Sequence, residues 1–410
     1  MSKREKKDIL FVLQFFYPEY VSSATLPYDT AKKLTEEGYS VDVLCGMPKE
    51  YSDSENVPKR ETVDGIGIRR VNYWQLDRKK TLGRLLNYFS FTFAIFMRLF
   101  SMRKYRSVVV YSNPPLLPFV AAMASALFGC KLVFVAYDLY PEIGVRSGAM
   151  SEGGMISRLM RYINKKVYKR ASAVVALSSE MKEYIAKNRP IDKEKIHIIP
   201  NWFADSYDGS ERKEDNAFAD VVKDRLVVSY FGNMGIAQDM QTLLDAMICL
   251  KDDPRVCFLI AGHGSKMGGV RQTIAEHNIQ NAYVYDFLKG KAYLDALKAS
   301  DCAVVSLEKG LTGLCVPSKT YGYMMQGLAL LAIVGPSDIA RDAQSGAGIC
   351  VENGSGEALA EKIRALCDDP ATLGSMKQKC RQLYLANYKT EICTAKYVDL
   401  MRENILGEKA

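Results

Sequence analysis

The sequence lacks the signatures of several common protein classes. Its ten cysteines are scattered through mostly apolar segments, without the close pairing of a zinc site or of a small disulfide-rich secreted domain. No G-x-G-x-x-G fingerprint occurs, which argues against an ordinary dinucleotide dehydrogenase. The basic N-terminus is followed by a short apolar stretch without a small-residue cleavage site, so it predicts a first buried strand rather than a signal peptide. We therefore expect a cytoplasmic protein with reduced cysteines.

The charge of the chain is concentrated in two places. The chain has 410 residues, which is long enough for two or three globular domains. Its residues are 48% hydrophobic and 25% charged, as in soluble globular proteins, and the net charge is +8. Fourteen basic residues stand in two stretches without acidic residues, so the rest of the chain has a net charge of −6. The two basic patches are Arg78, Lys79, Lys80, Arg84, Arg98, Arg103, Lys104 and Arg106, and Arg158, Arg161, Lys165, Lys166, Lys169 and Arg170. We expect no nucleic-acid partner.

Short apolar runs alternate with longer helical stretches along nearly the whole chain, which predicts an α/β protein with parallel sheets. A polar segment at residues 203–225 interrupts the pattern and is the candidate linker. The predicted strands of the first half are Ile9–Phe15, Ser40–Cys45, Ile66–Tyr73, Ser107–Tyr111, Lys131–Val135, Ala173–Leu177 and Lys195–Ile199. Those of the second half are Leu226–Phe231, Val256–Ile260, Ala282–Tyr285, Cys302–Ser306, Ala329–Ile333 and Gly348–Val351, and the stretch from about Pro370 onwards is predicted to be helical.

One segment, residues 85–100, is apolar around nearly its whole circumference and has basic residues on both sides. It is shorter than the roughly 20 apolar residues of a membrane-spanning helix, but it suits a helix lying partly sunk in one leaflet, with its cations on anionic headgroups. The alternative is a crossover helix packed in a large core. The candidate membrane residues are Arg84, Phe89, Phe93, Phe96, Arg98, Arg103 and Lys104.

Ligands of parallel sheets bind beyond the carboxyl ends of the strands. After the first strand, Ser22, Ser23 and Ala24 lead into a helix whose first amides could hold an anion, unless this is simply a capped helix. Asp138 and Glu142 follow a later strand and could accept a proton or bind sugar hydroxyls, although Asp138 could instead cap a turn.

The second half carries matching loops with a candidate for phosphate binding. Gly232 with Gly235, and Gly262 with Gly264, follow two strands and suggest a shared nucleotide site, in which Asn233 is a further candidate. In Pro317-Ser318-Lys319 the exposed amides, the helix dipole and the ammonium point to one place, where they would stabilise a departing diphosphate. The alternative is a surface lysine in a first helical turn.

Taken together, these motifs resemble those of the family-four retaining glycosyltransferases of the GT-B fold, in particular the bacterial polysaccharide-assembly branch that includes N-acetylfucosamine-type transferases. The matching segments are FFYPEY, AYDLYPE, VVALSSEMKEYI, KIHIIPNW, YFGNMG, IAGHG and VPSKTYGYMMQG. The resemblance implies two Rossmann-like domains facing across a cleft. They are an acceptor-binding domain at 1–202 and, after the 203–225 linker, a nucleotide-sugar domain at 226–385, with a helix at 386–410 crossing back. It also implies metal-independent retention without a cofactor, a UDP-sugar as the donor, and Tyr321 and Gly322 among the donor-binding residues.

The chain departs from the family pattern at several of these positions. Gly322 and Leu314 stand where many members carry glutamates that contact the ribose and the donor sugar. Ser22 and Ser23 replace a glycine pair, Asn233 and Gln238 replace an arginine and a lysine, and Tyr137 replaces a histidine. Lys319 is therefore expected to take a larger share of phosphate binding.

The expected activity is transfer of a sugar onto a polyprenyl-linked saccharide acceptor in capsule, O-antigen or exopolysaccharide assembly, at the inner leaflet of the cytoplasmic membrane. Lys319, Asp138 and Glu142 are the candidate catalytic residues. Two alternatives stay open, a sugar-nucleotide epimerase of similar architecture and a non-catalytic sugar-nucleotide-binding partner of an assembly complex.

Overall fold

The computed structural model describes residues 6–49, 51–52, 54, 56–77, 81–209 and 216–407. The chain forms two compact units. The first contains residues up to 201, the short segment 313–316 and the chain from 391 onwards. The second contains residues 202–312 and 317–390, which includes the 203–225 segment.

The first unit is built on an eight-stranded sheet in the order β3-β4-β2-β1-β5-β6-β7-β8. Without the edge strand β3, this is the 3-2-1-4-5-6 order of a Rossmann fold, extended by one strand. The strands are β1 Lys7–Val12, β2 Val41–Gly46, β3 Arg60–Val63, β4 Ile66–Val71, β5 Tyr105–Tyr111, β6 Lys131–Ala136, β7 Ala173–Ala176 and β8 Ile196–Ile198. The predicted strands of this half are confirmed, with small shifts of their ends.

Strand β3 was not predicted from the sequence. It pairs with β4 in antiparallel fashion, whereas the other pairs in this sheet are parallel. The hairpin turns at Asp64 and Gly65, whose φ angles are 47° and 77°. Asp-Gly with two positive φ angles is a common two-residue hairpin turn, so the signal was present in the sequence.

Helices cover the strands of the first unit. They are α1 Ser22–Glu36, α2 Thr81–Phe96, α3 Leu117–Phe128, α4 Glu142–Arg146, α5 Met155–Arg170 and α6 Ser179–Asn188. A 3₁₀ helix, Leu99–Lys104, follows α2. The helical segments near the C-terminus are Thr390–Asp399 and the π-helical Leu400–Leu406. Here Arg106 donates a hydrogen bond to the carbonyl of Leu406 at 2.7 Å.

The second unit has a six-stranded parallel sheet in the order β11-β10-β9-β12-β13-β14, which is again 3-2-1-4-5-6. The strands are β9 Leu226–Asn233, β10 Val256–His263, β11 Ala282–Tyr285, β12 Cys302–Ser306, β13 Ala329–Ile333 and β14 Gly348–Val351. The helices are α7 Ala219–Val222, α8 Gln241–Cys249, α9 Met267–Glu276, α10 Lys291–Lys298, α11 Lys319–Gln326, α12 Asp338–Asp342, α13 Gly356–Asp368 and α14 Pro370–Asn387. Helix α15, Thr390–Asp399, begins at the last residue of this unit and continues in the first unit. The predicted α/β class with parallel sheets is confirmed.

The strand order of the second unit reverses between β9 and β12, and the two strands separate there. Their pairing covers Cys302 opposite Val228 and Ala303 opposite Ser229. Strand β9 continues past this pairing to Asn233. Such a switch point opens a crevice at the carboxyl ends of the strands, which is where open α/β sheets bind ligands.

Candidate functional site

The loops after β9 and β10 lie against each other because their glycines have no side chains. Gly262 pairs with Gly232 in register, and a Cβ atom on Gly262 would lie 1.9 Å from the Gly232 carbonyl oxygen. A Cβ on Gly264 would lie 2.5 Å from the carbonyl oxygen of Met234 and 2.7 Å from Oδ1 of Asn233. Both glycines also have positive φ angles. The structure thus brings the two predicted loops together.

The chain from Met234 to Gln238 is fixed by contacts that the sequence analysis missed. The backbone amide of Lys266 donates to the Met234 carbonyl, and the amide of Glu308 donates to the Ala237 carbonyl, both at 2.9 Å. The Lys266 ammonium donates to the Gln238 carbonyl at 2.6 Å and also pairs with the Glu308 carboxylate. We call residues 232–238 the β9 loop, and these contacts fix its shape.

Lys319 is the first residue of α11 and its ammonium lies at the β9 loop. The Nζ atom is 3.6 Å from the centroid of the Tyr230 ring, and it donates to the Asn233 carbonyl at 3.4 Å. It lies 3.9 Å from the position of a Cβ on Gly232. Pro317 and Ser318 precede the helix, and their carbonyls accept hydrogen bonds from the amides of Thr320 and Tyr321 at 3.2 Å and 3.4 Å. The amide of Lys319, which comes before them, has no partner within the helix. The dipole of α11 adds positive potential at this end.

Burial lowers the pKa of the Lys319 ammonium well below its ordinary value. The cause is loss of hydration alone. Within the described part of the chain, no carboxylate pairs with this ammonium. A half-buried cation without a counter-ion is expensive, and an arriving anion would offset that cost. The arrangement therefore favours an anionic ligand such as a diphosphate.

Tyr323 fixes the position of α11 against β9. It follows Lys319 by four residues, so both side chains lie on the same helix face. Its hydroxyl accepts a hydrogen bond from the Phe231 amide at 2.7 Å and donates to the Phe231 carbonyl at 3.1 Å. These are backbone groups that β9 presents where it has separated from β12. The side chain of Tyr323 thereby holds Lys319 over the end of β9.

Two other predicted donor-binding residues have different surroundings. Tyr321 is buried, and its ring centroid lies 5.0 Å from that of Tyr388. Gly322 lies against Phe203 and Tyr293. Their role in donor binding stays a prediction.

An aromatic pair that the sequence analysis missed stands at the same edge of the sheet. His263 ends β10, and Phe287 follows β11. Their ring centroids are 5.1 Å apart in an edge-to-face arrangement, and Phe287 is exposed. An exposed aromatic ring beside the glycine-containing loop after β10 offers a stacking surface for a planar ligand. In the sequence, Phe287 stands in the segment YVYDFLKG, where no pattern marks it as exposed or functional.

In the first unit, Asp138 follows β6 and is held through its backbone. Its amide and that of Tyr137 both donate to the hydroxyl oxygen of Ser112 at 3.1 Å, and the Leu139 amide donates to the Leu314 carbonyl at 2.9 Å. Burial raises the pKa of Asp138 to about 6. Its carboxylate has no hydrogen-bond or ion-pair partner among the residues that the structure describes. Such a group can accept a hydrogen bond or a proton near neutral pH.

Glu142 is the first residue of α4 and is already engaged. Its carboxylate pairs with Arg189 at 2.5 Å, and both side chains are largely buried. Arg189 also lies over the Tyr168 ring and donates to the Tyr140 carbonyl at 3.4 Å. Glu142 is therefore held in an ion pair with Arg189, and its expected role in orienting a substrate stays a prediction.

The predicted anion loop after the first strand becomes the start of α1. Ser22 and Ser23 are its first two residues, and Ala24 is fully buried beneath them. The residue before the helix, Val21, provides no side-chain cap. The amide of Ala24 donates to the Val21 carbonyl at 2.8 Å, which leaves the amides of Ser22 and Ser23 for water or for a ligand.

Helix α2 buries one face in the first unit and exposes large apolar side chains on the opposite face. Phe91 and Ile95 are completely buried, and Asn87 holds the loop before the helix through hydrogen bonds with both backbone groups of Leu76. On the opposite side, Leu82, Leu85, Phe89, Phe93, Phe96, Met97 and Phe100 are exposed. We call these seven residues the α2 stripe.

Exposed cations surround the α2 stripe. They are Arg84, Arg98, Arg103 and Lys104, whereas Arg78, Lys79 and Lys80 lie outside the described residues. In the described ranges, no helix is long and apolar enough to cross a membrane.

Helix α5 presents a similar surface on the same unit. Met155, Ile156, Leu159 and Tyr162 are exposed on it. The six basic residues of the second patch lie on the same helix and are also exposed. Large apolar side chains among exposed cations are typical of surfaces that meet a membrane or another protein.

Two family models match the chain. The model of the glycosyl transferase 4-like domain matches residues 24–202, and that of the glycosyl transferases group 1 matches residues 225–369. Among curated proteins, the chain is 28% identical over 307 residues to the probable glycosyltransferase WbjE of Pseudomonas aeruginosa, covering 73% of this chain and 76% of WbjE. It is 23% identical over 371 residues to the putative colanic acid biosynthesis glycosyl transferase WcaI of Escherichia coli, covering 85% and 89%.

Solved structures of glycosyltransferases have the same fold. Anabaena HepE, solved in complex with UDP and glucose, superposes with a TM-score of 0.72 at 14% identity, over 96% of this chain and 99% of HepE. WaaG, a glycosyltransferase involved in lipopolysaccharide biosynthesis, gives a TM-score of 0.69 at 12% identity, over 98% of this chain and all of WaaG.

Proposed function

We propose that this chain, which belongs to the family-four glycosyltransferases of the GT-B fold, transfers a sugar from a UDP-sugar to a lipid-linked saccharide with retention of anomeric configuration. The unpaired Lys319 ammonium at the β9 loop carries this proposal. A diphosphate there would contact the ammonium and the backbone amide of Lys319, at the positive end of α11. The binding of UDP by HepE supports the choice of nucleotide.

The proposed reaction needs no metal. The bond between the sugar C1 and the diphosphate oxygen breaks, and Lys319 with the amides near Ser318, Gly232 and Asn233 stabilises the negative charge that develops. The acceptor hydroxyl forms the new bond to C1 from the face that the diphosphate leaves, and a departing phosphate oxygen takes its proton. Asp138 orients the acceptor or the sugar through its unpaired carboxylate.

Binding of UDP tests the donor site directly. In the wild-type protein, UDP should raise the thermal unfolding midpoint more than GDP or dTDP does. Lys319→Ala should abolish this rise and leave the midpoint of the unliganded protein nearly unchanged. Lys362→Ala, at an exposed lysine on α13, is the matched control and should behave as wild type. An unchanged response of Lys319→Ala to UDP would remove this residue from the mechanism.

The acceptor class is proposed from the surface of the first unit. A polyprenyl-linked saccharide is reached at a membrane, and the α2 stripe with its cations suits the inner leaflet of the cytoplasmic membrane. The part of WcaI in colanic acid biosynthesis and that of WaaG in lipopolysaccharide biosynthesis support surface polysaccharide assembly as the process.

Vesicle flotation tests the membrane part of this proposal separately from donor binding. The protein should float with vesicles that contain phosphatidylglycerol and much less with pure phosphatidylcholine, and added salt should weaken the association. Replacing both Phe89 and Phe93 by serine should reduce flotation at least about tenfold, because each ring contributes substantial apolar area. Leu385→Ser removes an exposed apolar residue of the second unit and should leave flotation unchanged. Equal flotation of the double variant and wild type would refute membrane docking through α2.

A further inference from the structure

Tyr230 contacts both partners of the proposed diphosphate site. It lies inside β9, has no solvent-exposed surface and belongs to the core of the second unit. Its ring face lies under the Lys319 ammonium, with 3.6 Å between Nζ and the ring centroid. Its hydroxyl donates to the Asn233 carbonyl at 2.8 Å. One side chain therefore meets the cation with its ring and the β9 loop with its hydroxyl.

The ring acts on the charge of Lys319. The negative face of an aromatic ring attracts a cation, and the attraction is larger where water is excluded. Burial alone shifts the lysine towards its neutral form, since no charged residue of the described chain contributes to its pKa. The Tyr230 ring opposes this shift and favours the charged form of the side chain.

The hydroxyl acts on the shape of the loop. The Asn233 carbonyl accepts hydrogen bonds from the Tyr230 hydroxyl and from the Lys319 ammonium, at 2.8 Å and 3.4 Å. These two hydrogen bonds direct the Asn233 carbonyl oxygen towards the side chains of Tyr230 and Lys319. The ammonium can then exchange this long hydrogen bond for a ligand oxygen, while Tyr230 continues to hold the carbonyl.

We propose that Tyr230 is a positioning residue for the donor diphosphate, which keeps Lys319 charged and the Asn233 carbonyl turned away from the ligand. This inference rests on the proposed function, because it requires Lys319 to bind the diphosphate. In the sequence, Tyr230 lies within the apolar run of β9 and looks like an ordinary core residue.

The test measures UDP affinity as a function of pH by calorimetry. In wild type, affinity should fall as the pH rises through the lowered pKa of Lys319. Tyr230→Leu should weaken UDP binding about tenfold and move this fall to lower pH, because the ring no longer favours the cation. Tyr230→Phe keeps the ring and should leave the pH of the fall unchanged. Phe258→Leu makes a similar cavity on the neighbouring strand, in the same core, and should change neither quantity.

A second series keeps the shape of the side chain in case Tyr230→Leu does not fold. Phenylalanines with one, two and three ring fluorines at position 230 have a progressively weaker negative face. UDP affinity should fall about twofold to threefold with each fluorine, relative to Tyr230→Phe. A flat series, or a Tyr230→Leu variant that matches Phe258→Leu, overturns the inference. If Lys319→Ala itself binds UDP as wild type does, the proposed donor site fails and this inference fails with it, whereas loss in Lys319→Ala with a flat fluorine series refutes the role of Tyr230 alone.

Discussion

Gly322 lies against Tyr293 so closely that a Cβ atom at position 322 would be 3.0 Å from the tyrosine hydroxyl oxygen. This is the position where many relatives of the family carry a glutamate. The space that a longer side chain would need is occupied by the half-buried side chain of Tyr293, and loss of hydration raises the pKa of its hydroxyl. In this chain, Tyr293 and Phe203 therefore leave little room for a glutamate at position 322.

Reintroducing the glutamate should therefore fail in this chain. Gly322→Glu is expected to lower the free energy of unfolding by about 1–3 kcal/mol, because it overpacks the core beside Tyr293, and to leave UDP affinity no better than in wild type. Urea unfolding and UDP titration measure the two effects. Combining it with Tyr293→Ala should recover part of the stability. A stable Gly322→Glu variant with tighter UDP binding would contradict this account.

Removing the hydroxyl of Tyr323 should destabilise the second unit. Tyr323→Phe leaves the amide and the carbonyl of Phe231 without their partner in a buried position, which costs about 1–3 kcal/mol. Chemical unfolding gives the value. Tyr285→Phe removes a hydroxyl that has no hydrogen-bond partner among the described residues, so it is the control and should change stability by less than about 0.5 kcal/mol. Equal effects of the two variants would show that the hydroxyl of Tyr323 does not anchor α11.

Asp138 should make stability depend on pH in a particular direction. Its pKa rises from the ordinary 3.8 to about 6 in the folded protein. Between these pH values the unfolded chain has lost the proton that the folded chain keeps, so Asp138 lowers the free energy of unfolding as the pH rises. Above the pKa of the folded protein, this loss reaches about 3 kcal/mol.

The replacement Asp138→Asn removes the ionisable group and tests this direction. It should raise the free energy of unfolding at about pH 7.5 and have a much smaller effect at about pH 4.5. Asp252→Asn, at an exposed carboxylate, should have little effect at either pH. A gain for Asp138→Asn of the same size at both pH values would show that ionisation is not its cause.

The Lys266–Glu308 pair should matter for UDP more than for stability. Lys266→Met removes the ammonium from the Gln238 carbonyl and leaves the β9 loop less fixed, so we expect UDP affinity to fall about threefold to tenfold. The loss of stability should be about 1 kcal/mol or less, because both side chains are partly exposed. Lys298→Met breaks a comparable pair with Asp208 and should leave UDP affinity unchanged. Equal UDP affinities of the two variants would argue against a role of Lys266 in shaping the loop.

The strand framework could be predicted because parallel strands are buried on both faces. Runs such as Val256–Ile260 and Ala329–Ile333 are continuously apolar, which leaves little choice of structure. The edge strand β3 escaped prediction because the sequence RETV has no such run, and only the Asp64-Gly65 turn marks it.

The candidate site was predicted where it depends on local chemistry. Glycines after strands and a lysine at a helix start are visible in a short window of sequence. The roles of Tyr230 and Tyr323 are not visible in this way. A tyrosine within an apolar run looks the same in the sequence whether or not its hydroxyl forms a hydrogen bond in the folded protein. Lys266 and Glu308 are 42 residues apart, and only the folded sheet brings their loops together.

The last described residues of the chain complete its first unit. Met401 is fully buried there, Arg402 lies 3.7 Å from Glu37, and the carbonyl of Leu406 accepts the hydrogen bond of Arg106. Because this segment follows β14 in the chain, the first unit gains these contacts only after the strands of both units have been synthesised. A stop codon near residue 390 would keep all of the described strands but remove these contacts from the first unit.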